Sequence, residues 1–457
     1  MSVFPEAFNT QMRQLLGTES ERFFRALESE SPVSIRYNPL KNIGLPTELQ
    51  KVPWASSSFY LPERPLFTAD PLFHAGTYYV QEAASMFLEQ ALTQHCKLSE
   101  KLRILDLCAA PGGKSTLIAS LMKGDSLLVS NEVIRSRAHI LSENIQKWGN
   151  GNVWVSNNDP LYIANALPSF FDIVVVDAPC SGEGMFRKAA NSVEEWSPQA
   201  VNHCTLRQQR ILHDIWDTLR PGGILIYSTC TYNRHENEHN LTKFKAQSNF
   251  DSLKLSLDTS WGVTETLENG IYGYRFYPHV SKGEGFFLSV LKKSGDKDSA
   301  NPKIRKNLLT KATSDADFVK SWLKNPDLEL FKRKELILAV PKSISYEAQL
   351  IESTLNIVSG AAELAELNRK GFIPSPAAAL WTGLQTEAFV QSKFDKENTL
   401  KFLHLENIKP ELTESKEGWQ LITHNGIGLG WIKKLSNRVN NYYPKEWRIR
   451  MPLNKLI

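Results

Sequence analysis

One feature constrains the fold of this chain more than any other: a regular alternation of short apolar runs and helix-length segments between residues 76 and 293. Five of the runs are rich in aliphatic and β-branched residues: RILDL (103–107), LLVSNE (127–132), NVWVSN (152–157), FDIVVVDAP (171–179) and GGILIYST (222–229). The main segments between them are helix-like: KSTLIASLM (114–122), RSRAHILSENIQKWG (135–149) and LRQQRILHDIWDTLR (206–220). Strands that alternate with helices form βαβ units, so the pattern predicts an α/β domain with a parallel sheet between two helical layers.

The segment 206–220 shows how such a helix would pack on the sheet. Five apolar residues fall on one face at helical spacing: Ile211, Leu212, Ile215, Trp216 and Leu219. A stripe of this width predicts that the face is buried against the sheet. Pro221 and the two glycines after it are expected to end the helix.

The segment before the alternating region has a different composition. Residues 1–75 combine two helix-like stretches, around Glu6–Leu16 and Glu19–Leu27, with a strand-like SIRYNP at 34–39. A run rich in proline, tryptophan and serine, 53–65, follows. We interpret residues 1–75 as an α+β extension that supports the neighbouring domain and contacts its substrate.

The chain beyond residue 293 divides further. The charged, proline-bearing stretch KKSGDKDSANPKIRKN, 292–307, predicts a domain boundary. Residues 308–370 are interpreted as a mixed α/β middle domain. From 371 to 457 glycine, proline and aromatic residues increase, which favours a small β-rich module at the end of the chain.

Composition excludes several classes of protein. Five cysteines without any paired spacing argue against a disulfide framework and against a structural zinc site, and we expect no metal. The start MSVFPEAFNTQMRQ lacks the pattern of a signal peptide, and no run is apolar enough for a membrane span. We therefore expect a cytoplasmic protein with free thiols and no membrane partner, and take a monomer as the default. A net charge of +4 is too slight to establish a nucleic-acid partner.

The first predicted strand ends in a glycine turn, DLCAAPGGKST (106–116). A phosphate-binding loop would need glycine at position 108, where Cys108 stands, so an NTPase is disfavoured. Two adjacent glycines also do not make the GxGxxG of a nicotinamide dinucleotide site. What remains is a strand, a tight turn and a helix N-terminus, whose backbone N–H groups suit a carboxylate or a phosphate.

Two acids are predicted at the ends of the next two strands. Glu132 is placed to accept hydrogen bonds from both hydroxyls of a ribose, and Asp159 suits an exocyclic amine or a nearby hydroxyl. A carboxylate at the turn, a ribose at Glu132 and an adenine near Asp159 together describe S-adenosylmethionine. The alternative is that both acids are ordinary solvated residues at strand ends.

Cys180 and Cys230 follow the last apolar residues of the fourth and fifth predicted strands, where a substrate would meet the cofactor. Carbon 5 of cytosine becomes nucleophilic when a thiolate adds to carbon 6, and a base must later remove the carbon 5 proton. Asp177 is placed to act at ring nitrogen 3 if burial keeps it partly protonated. Methylation of oxygen or nitrogen needs no cysteine, so the pair favours a carbon nucleophile. The alternative is two small core residues, and this chemistry does not decide which thiol attacks.

The motifs DLCAAPGGKS, SNE, NND, DAPCSGEGMFRK and YSTCTYNRHENE resemble those of the RNA cytosine-5 methyltransferases of the NOL1/NOP2/Sun family. The closing GIGLGWIKK and YYPKEWRIR are similar to the carboxyl-terminal, PUA-like RNA-binding module of the RsmF-type members, which modify 16S ribosomal RNA. The resemblance implies a Rossmann-like S-adenosylmethionine-dependent methyltransferase domain over 76–293 and a PUA-like domain over 371–457.

The resemblance also implies roles for individual residues. Cys230 would be the attacking thiolate, and Cys180 would assist the release of product. The cofactor and its immediate surroundings would be assigned to a further set: Cys108, Ala109, Ala110, Pro111, Gly112, Gly113, Lys114, Glu132, Asp159 and Asp177. We expect Lys114 or Lys188 to lower the pKa of the nucleophile or to hold a phosphate.

The last 25 or so residues combine charge with aromatic rings. This segment contains one acid, Glu446, and seven basic residues: Lys433, Lys434, Arg438, Lys445, Arg448, Arg450 and Lys455. Tyr442, Tyr443 and Trp447 lie among them, and we interpret Trp431 as a core residue. Phosphate contacts together with stacking surfaces predict binding of unpaired RNA.

The leading hypothesis is therefore a 16S ribosomal RNA 5-methylcytosine methyltransferase. A member of the same family that acts on transfer RNA is the first alternative. A non-catalytic RNA-binding protein of ribosome assembly and, more remotely, a nicotinamide dehydrogenase are the others. The intact pair of cysteines argues against a vestigial domain.

Overall fold

The computed structural model describes residues 4–456 except 42, 189, 296–301, 303, 305–307 and 370. Most of the predicted boundary segment 292–307 therefore lies outside the described residues. The α-helices are α1 (Glu6–Leu16), α2 (Ser20–Leu27), α3 (Pro71–His74), α4 (Leu88–His95), α5 (Gly113–Leu121), α6 (Arg135–Trp148), α7 (Pro160–Ala166), α8 (Ala190–Glu195), α9 (Pro198–Ile215), α10 (Glu238–Lys245), α11 (Ser345–Thr354), α12 (Pro376–Leu380) and α13 (Lys396–Leu403).

The strands form four sheets. They are β1 (Val33–Tyr37), β2 (Ser58–Leu61), β3 (Tyr78–Val80), β4 (Arg103–Asp106), β5 (Leu127–Asn131), β6 (Val153–Ser156), β7 (Phe171–Asp177), β8 (Leu219–Thr229), β9 (Phe250–Ser252), β10 (Thr264–Glu268), β11 (Ile271–Phe276), β12 (Phe286–Lys293), β13 (Thr310–Lys311), β14 (Leu328–Arg333), β15 (Leu336–Pro341), β16 (Ile357–Gly360), β17 (Ala362–Asn368), β18 (Gly371–Pro374), β19 (Val390–Lys393), β20 (Gly418–His424), β21 (Ile427–Lys434) and β22 (Val439–Asn441).

The largest sheet has the order β10-β11-β12-β8-β7-β4-β5-β6-β16, with β9 beside β12. Its five central strands, from β8 to β6, are parallel, which confirms the predicted parallel sheet. Both edges are antiparallel, because β12 pairs with β8 on one side and β16 pairs with β6 on the other. Antiparallel edge strands are common on parallel sheets. The sequence pattern did not predict these strands, because they do not alternate with helices. Apolar residues bury the sheet on both faces.

Helix α9 differs from its predicted bounds. Ile211, Leu212 and Ile215 of α9 are buried as predicted. The helix ends at Ile215, however, and a 3-10 turn follows. Leu219 begins β8 by pairing with Phe171, and the strand continues through Pro221. The predictions that Leu219 belongs to the helix and that Pro221 ends it were wrong. Pairing with Phe171 of β7 places Leu219 in the sheet, and a proline near the start of a strand is tolerated.

The N-terminal extension contains α1, α2, β1 and β2, and β3, which follows it in the chain, completes the small sheet β2-β1-β3. Phe8 of α1 and Phe23 of α2 pack with Phe186, Trp196 and Tyr232 of the large domain in one buried aromatic cluster. The extension thus packs against the loops that carry Cys180 and Cys230.

The chain after residue 307 forms two further sheets. An antiparallel sheet runs in the order β13-β14-β15-β17-β18, while β16, which comes from the same segment, extends the large sheet. The last sheet has the order β19-β20-β21-β22. Trp431 of β21 is fully buried and donates its ring N–H to the carbonyl of Ser375, which confirms that it is a core residue. Among the described residues, no helix is both long and apolar enough to span a bilayer.

Candidate active site

The order of the parallel strands places a cleft beside β4. After β4 the chain moves outward through β5 and β6, then returns to the other side of β4 with β7 and β8. Ligands of open α/β sheets bind at such a reversal, beyond the carboxyl ends of the strands. A cleft of about 400 Å³ lies there, and its walls include Cys108–Pro111, Lys114, Asp177 and Cys230.

The turn between β4 and α5 depends on one glycine. Gly112 has a φ of +119°, which L-residues rarely adopt, and a side chain there would come within 3.3 Å of Leu141. With Gly112 as N-cap, the first backbone N–H groups of α5 are left for a ligand, and this arrangement favours a carboxylate. The turn and the size of the cleft therefore fit S-adenosylmethionine, whose amino-acid end carries a carboxylate.

A residue of the N-terminal extension holds this turn from behind. Arg36 of β1 is buried and donates to the carbonyl of Gly113 at 3.2 Å and to the hydroxyl of Thr116 at 2.6 Å. Its guanidinium carbon lies 4.6 Å from the ring centroid of Trp148. Burial lowers the pKa of Arg36 to about 9. Nothing in SIRYNP identified Arg36 as part of the site beyond its place among strand-forming residues.

Lys114 and Asp177 form an ion pair inside the cleft. The ammonium nitrogen of Lys114 is 2.7 Å from one carboxylate oxygen of Asp177, and the Ser228 hydroxyl donates to the other at 2.8 Å. Burial lowers the pKa of Lys114, but Asp177 outweighs this effect and the pKa is raised above its usual value. An ammonium and a hydroxyl group thus each contact one oxygen of the Asp177 carboxylate. That Asp177 acts at ring nitrogen 3 as a partly protonated carboxyl stays a prediction.

The two cysteines meet at the edge of the cleft. The sulfur atoms of Cys180 and Cys230 are 3.0 Å apart, and both thiols are free. A hydrogen bond to Cys230, together with burial, raises the pKa of the Cys180 thiol well above its usual value. The two thiols therefore form one hydrogen-bonded pair, in which either sulfur can be the donor.

Two buried glutamates join the two cysteine loops. Glu183, on the loop of Cys180, accepts a hydrogen bond from the backbone N–H of Tyr232 on the other loop at 3.0 Å. Glu236 accepts in the opposite direction, from the backbone N–H of Ser181 at 2.9 Å and from its hydroxyl. Burial raises the pKa of both carboxyls, that of Glu236 to about 7. These reciprocal bonds fix the separation of the loops. Glu183 belongs to the motif DAPCSGEGMFRK and Glu236 to YSTCTYNRHENE, but the sequence pattern assigned neither a role.

The two acids predicted to hold the nucleoside lie farther out. Glu132 is buried at the end of β5, where it accepts from the backbone N–H of Ile134 at 2.9 Å and pairs with Arg137 at 3.2 Å. Asp159 does not end the third strand as predicted, because β6 ends at Ser156. It caps α7 by accepting from Leu161 and is about half exposed. Neither Glu132 nor Asp159 is among the described residues that line the cleft.

Lys188, the alternative to Lys114 near the nucleophile, is exposed on the surface after the Cys180 loop. The C-terminal segment is mixed in exposure. Lys445, Arg448 and Arg450 are exposed, whereas Tyr443 is buried. Trp447 is half-buried and approaches α6, where the Lys147 ammonium lies 5.7 Å from its ring centroid.

A buried acid beneath the glycine turn was missed by the sequence reasoning, although it begins the quoted motif. Asp106 is fully buried at the end of β4, and Ser115 donates to one of its oxygens at 2.6 Å. The other oxygen has no hydrogen-bond partner among the described residues. Burial raises the pKa of Asp106 to about 7. Perturbed, incompletely paired acids of this kind cluster at functional sites.

The raised pKa makes Asp106 a source of pH-dependent stability. Because the carboxyl titrates at about 4 in an unfolded chain, its ionisation destabilises the fold increasingly between that pH and about 7, and fully above. The free energy of unfolding of Asp106→Asn should therefore rise relative to that of the wild type by on the order of 2 kcal/mol as the pH increases from about 5 to about 8. Thermal midpoints at both pH values measure the change. Glu21→Gln, at an exposed ion pair, controls for lost net charge, and a pH-independent difference would contradict the assignment.

Comparison with known proteins extends over the whole chain. Three family models match: the N-terminal domain of 16S rRNA methyltransferase RsmF over residues 4–83, 16S rRNA methyltransferase RsmB/F over 93–292, and the methyltransferase RsmF PUA domain over 391–449. Ribosomal RNA small subunit methyltransferase F from Vibrio atlanticus is 30% identical over 97% of both chains. The protein of the same name from an Enterobacter species is 30% identical over 97% of this chain and 95% of its own.

Solved structures agree with the fold. A methyltransferase homologue from Pyrococcus horikoshii superposes with a TM-score of 0.54 and 28% identity, over 64% of this chain and 95% of its own. NSun6 from the same organism has a TM-score of 0.52 at 20% identity, over 65% of this chain and 100% of its own, and supports the fold alone. The predicted fold class, with its N-terminal extension and PUA module, is confirmed. The chain is an S-adenosylmethionine-dependent ribosomal RNA methyltransferase and belongs to the ribosomal RNA small subunit methyltransferase F family.

Proposed function

We propose that this protein methylates carbon 5 of a cytosine in 16S ribosomal RNA, and that the reaction passes through a covalent bond between Cys230 and carbon 6 of the base. One observation carries the proposal: Cys230 lines the same cleft as the Lys114–Asp177 pair and the glycine turn, and the sulfur of Cys180 lies 3.0 Å from its own. Transfer to an oxygen or a nitrogen would use neither thiol.

The residues around the cleft suit the steps of this reaction. Lys114 and Asp177 together offer N–H donors and a carboxylate to the polar edge of a cytosine, which orients the ring. The Cys230 thiolate adds to carbon 6, and carbon 5 becomes nucleophilic. When bound, S-adenosylmethionine supplies the electrophilic methyl group. Cys108–Lys114 would hold its amino-acid end, and we assign its ribose and adenine to the surroundings of Glu132 and Asp159.

The proton on carbon 5 requires a base, and the contact between the sulfurs suggests how Cys180 becomes one. The largest cause of the raised pKa of Cys180 is its hydrogen bond to Cys230. Once Cys230 is a thioether, it no longer shares a proton with Cys180, and we infer that Cys180 then releases its own proton to water. Cys180 then takes the carbon 5 proton, the carbon 6–sulfur bond breaks, and the electron pair returns to Cys230. The starting arrangement of thiol and thiolate is restored.

The target must be unstacked for this chemistry, because carbons 5 and 6 of a paired cytosine lie within the helical stack. The exposed basic residues Lys445, Arg448 and Arg450 supply contacts to phosphates, in line with the PUA match.

Methylation with labelled S-adenosylmethionine tests the proposal. Purified 16S RNA, small ribosomal subunits and transfer RNA serve as separate substrates, and the products are digested to nucleosides. We expect 5-methylcytosine from 16S RNA or from the subunit. Label in another nucleoside would refute the carbon 5 assignment, and label confined to transfer RNA would refute the substrate.

A further inference from the structure

A second cavity, of about 160 Å³, lies beside the active-site cleft. Four of its lining residues are aromatic, Phe73, Tyr78, Tyr79 and Trp148, and Asn144 and Lys147 of α6 complete this part of the wall. Phe73 and Tyr79 are only partly buried, so part of each residue is accessible to a ligand. An apolar cavity of roughly 150 Å³ is large enough for a ring the size of benzene.

The cavity is continuous with the site of chemistry. Tyr79 and Val80 line both the cavity and the cleft. A side chain built at Gly113 would lie 3.5 Å from the ring of Tyr79, so this ring stands against the glycine turn. On the opposite wall, Asn144 donates to the carbonyl of Pro111 in that turn at 2.7 Å. A ligand in the cavity would therefore lie next to whatever occupies the cleft.

The other side of the cavity leads to the C-terminal module. Lys147 lies 5.7 Å from the ring centroid of Trp447, whose exposed neighbours in sequence are Lys445, Glu446 and Arg448. Two further acids lie beside lining residues of the cavity and are already engaged. Glu143 pairs with Lys147 at 2.6 Å, and Asp70 accepts from the hydroxyl of Tyr78 at 2.7 Å. The surroundings thus offer aromatic faces between the cleft and a positively charged surface.

We propose that this aromatic cavity binds the base of an unpaired nucleotide adjacent to the target cytosine. The assignment rests on the proposed function, because a cytosine turned into the cleft leaves its neighbours without a stacking partner. An RNA strand that runs from the cleft toward the basic C-terminal segment passes the cavity. A base that stacks on aromatic side chains gains about 1 to 3 kcal/mol, and this compensates for the lost stacking.

The test couples a protein side chain to a single base. Phe73→Ala removes one wall of the cavity and leaves the lining of the cleft intact. Phe67→Ala is the matched control: it is a half-buried ring, 6.2 Å from Tyr78 against 5.9 Å for Phe73, but it does not line the cavity. The substrate is a short RNA around the methylated cytosine mapped by bisulfite sequencing. Versions of this RNA lack the base at each neighbouring position in turn.

We expect Phe73→Ala to weaken binding of the intact RNA about 5- to 150-fold, as the loss of one stack implies. Phe67→Ala should leave RNA binding unchanged. The affinity for S-adenosylmethionine should also stay unchanged. Removal of one neighbouring base should weaken wild-type binding by a similar factor but leave Phe73→Ala unaffected, which is the non-additivity of direct contact. Should Phe73→Ala fold poorly, Phe73→Leu keeps apolar bulk without a flat ring.

Additive effects at every neighbouring position would overturn the proposal. Binding of RNA does not require methyl transfer, so the two proposals fail differently. If no 5-methylcytosine forms, a set of single-stranded 16S fragments with a base removed at each position still reports whether Phe73 couples to a base. If 5-methylcytosine forms and no base couples to Phe73, only the cavity assignment is lost.

Discussion

Cys230→Ser is expected to lose methyl transfer by about 10³-fold or more, because a serine hydroxyl at neutral pH is a far weaker nucleophile than a thiolate. The sulfur of Cys230 lies at the cleft, whereas the glycine turn that we assign to the cofactor belongs to β4 and α5. Affinity for S-adenosylmethionine should therefore be nearly unchanged. Single-turnover transfer to 16S RNA and calorimetric titration with the cofactor measure the two quantities separately.

A matched control is available in the same domain. Cys204 is a free, half-buried cysteine on α9 that does not line the cleft, so Cys204→Ser should keep normal turnover. Near-normal transfer by Cys230→Ser would assign the nucleophile to another residue. Loss of cofactor binding along with activity would show instead that Cys230 shapes the site.

Cys180→Ser is expected to trap the enzyme on its RNA. A serine hydroxyl at this position cannot take the carbon 5 proton, because its pKa is too high for it to become a base near neutral pH. The bond from Cys230 to carbon 6 then persists after methylation. A protein–RNA complex that survives denaturant should accumulate on gels, and mass spectrometry should find the methyl group on the trapped base.

The double variant Cys180→Ser/Cys230→Ser separates this outcome from tight binding, since without a thiol at position 230 no adduct should survive denaturation. Free methylated RNA as the sole product of Cys180→Ser would remove Cys180 from the release step. An adduct that persists in the double variant would place the covalent bond on a different residue.

Patterns among residues close in sequence predicted much of the fold. The spacing of apolar runs and helix-length segments indicated β4 to β8 and α5, α6 and α9, because hydrophobic periodicity is a property of neighbouring residues. Gly112 and the residues around it indicated the turn for the same reason, since a left-handed backbone position has a local sequence signal. Boundaries were less certain, and the end of α9 shows why. Strand pairing with Phe171, distant in sequence, decided where β8 begins.

The amino-acid sequence by itself determined the order of the five parallel strands and of α5, α6 and α9, the glycine turn, the family and the placement of two cysteines at strand ends. Only the tertiary structure decided that Lys114 neutralises Asp177, that Glu183 and Glu236 tie the cysteine loops together, and that Arg36 supports the turn. It alone brought α3, β3 and α6 around an aromatic cavity. Each of these contacts joins residues tens of positions apart. These contacts are stabilised by burial and by electrostatic attraction between separate elements. Local periodicity in the sequence does not predict which distant residues pair.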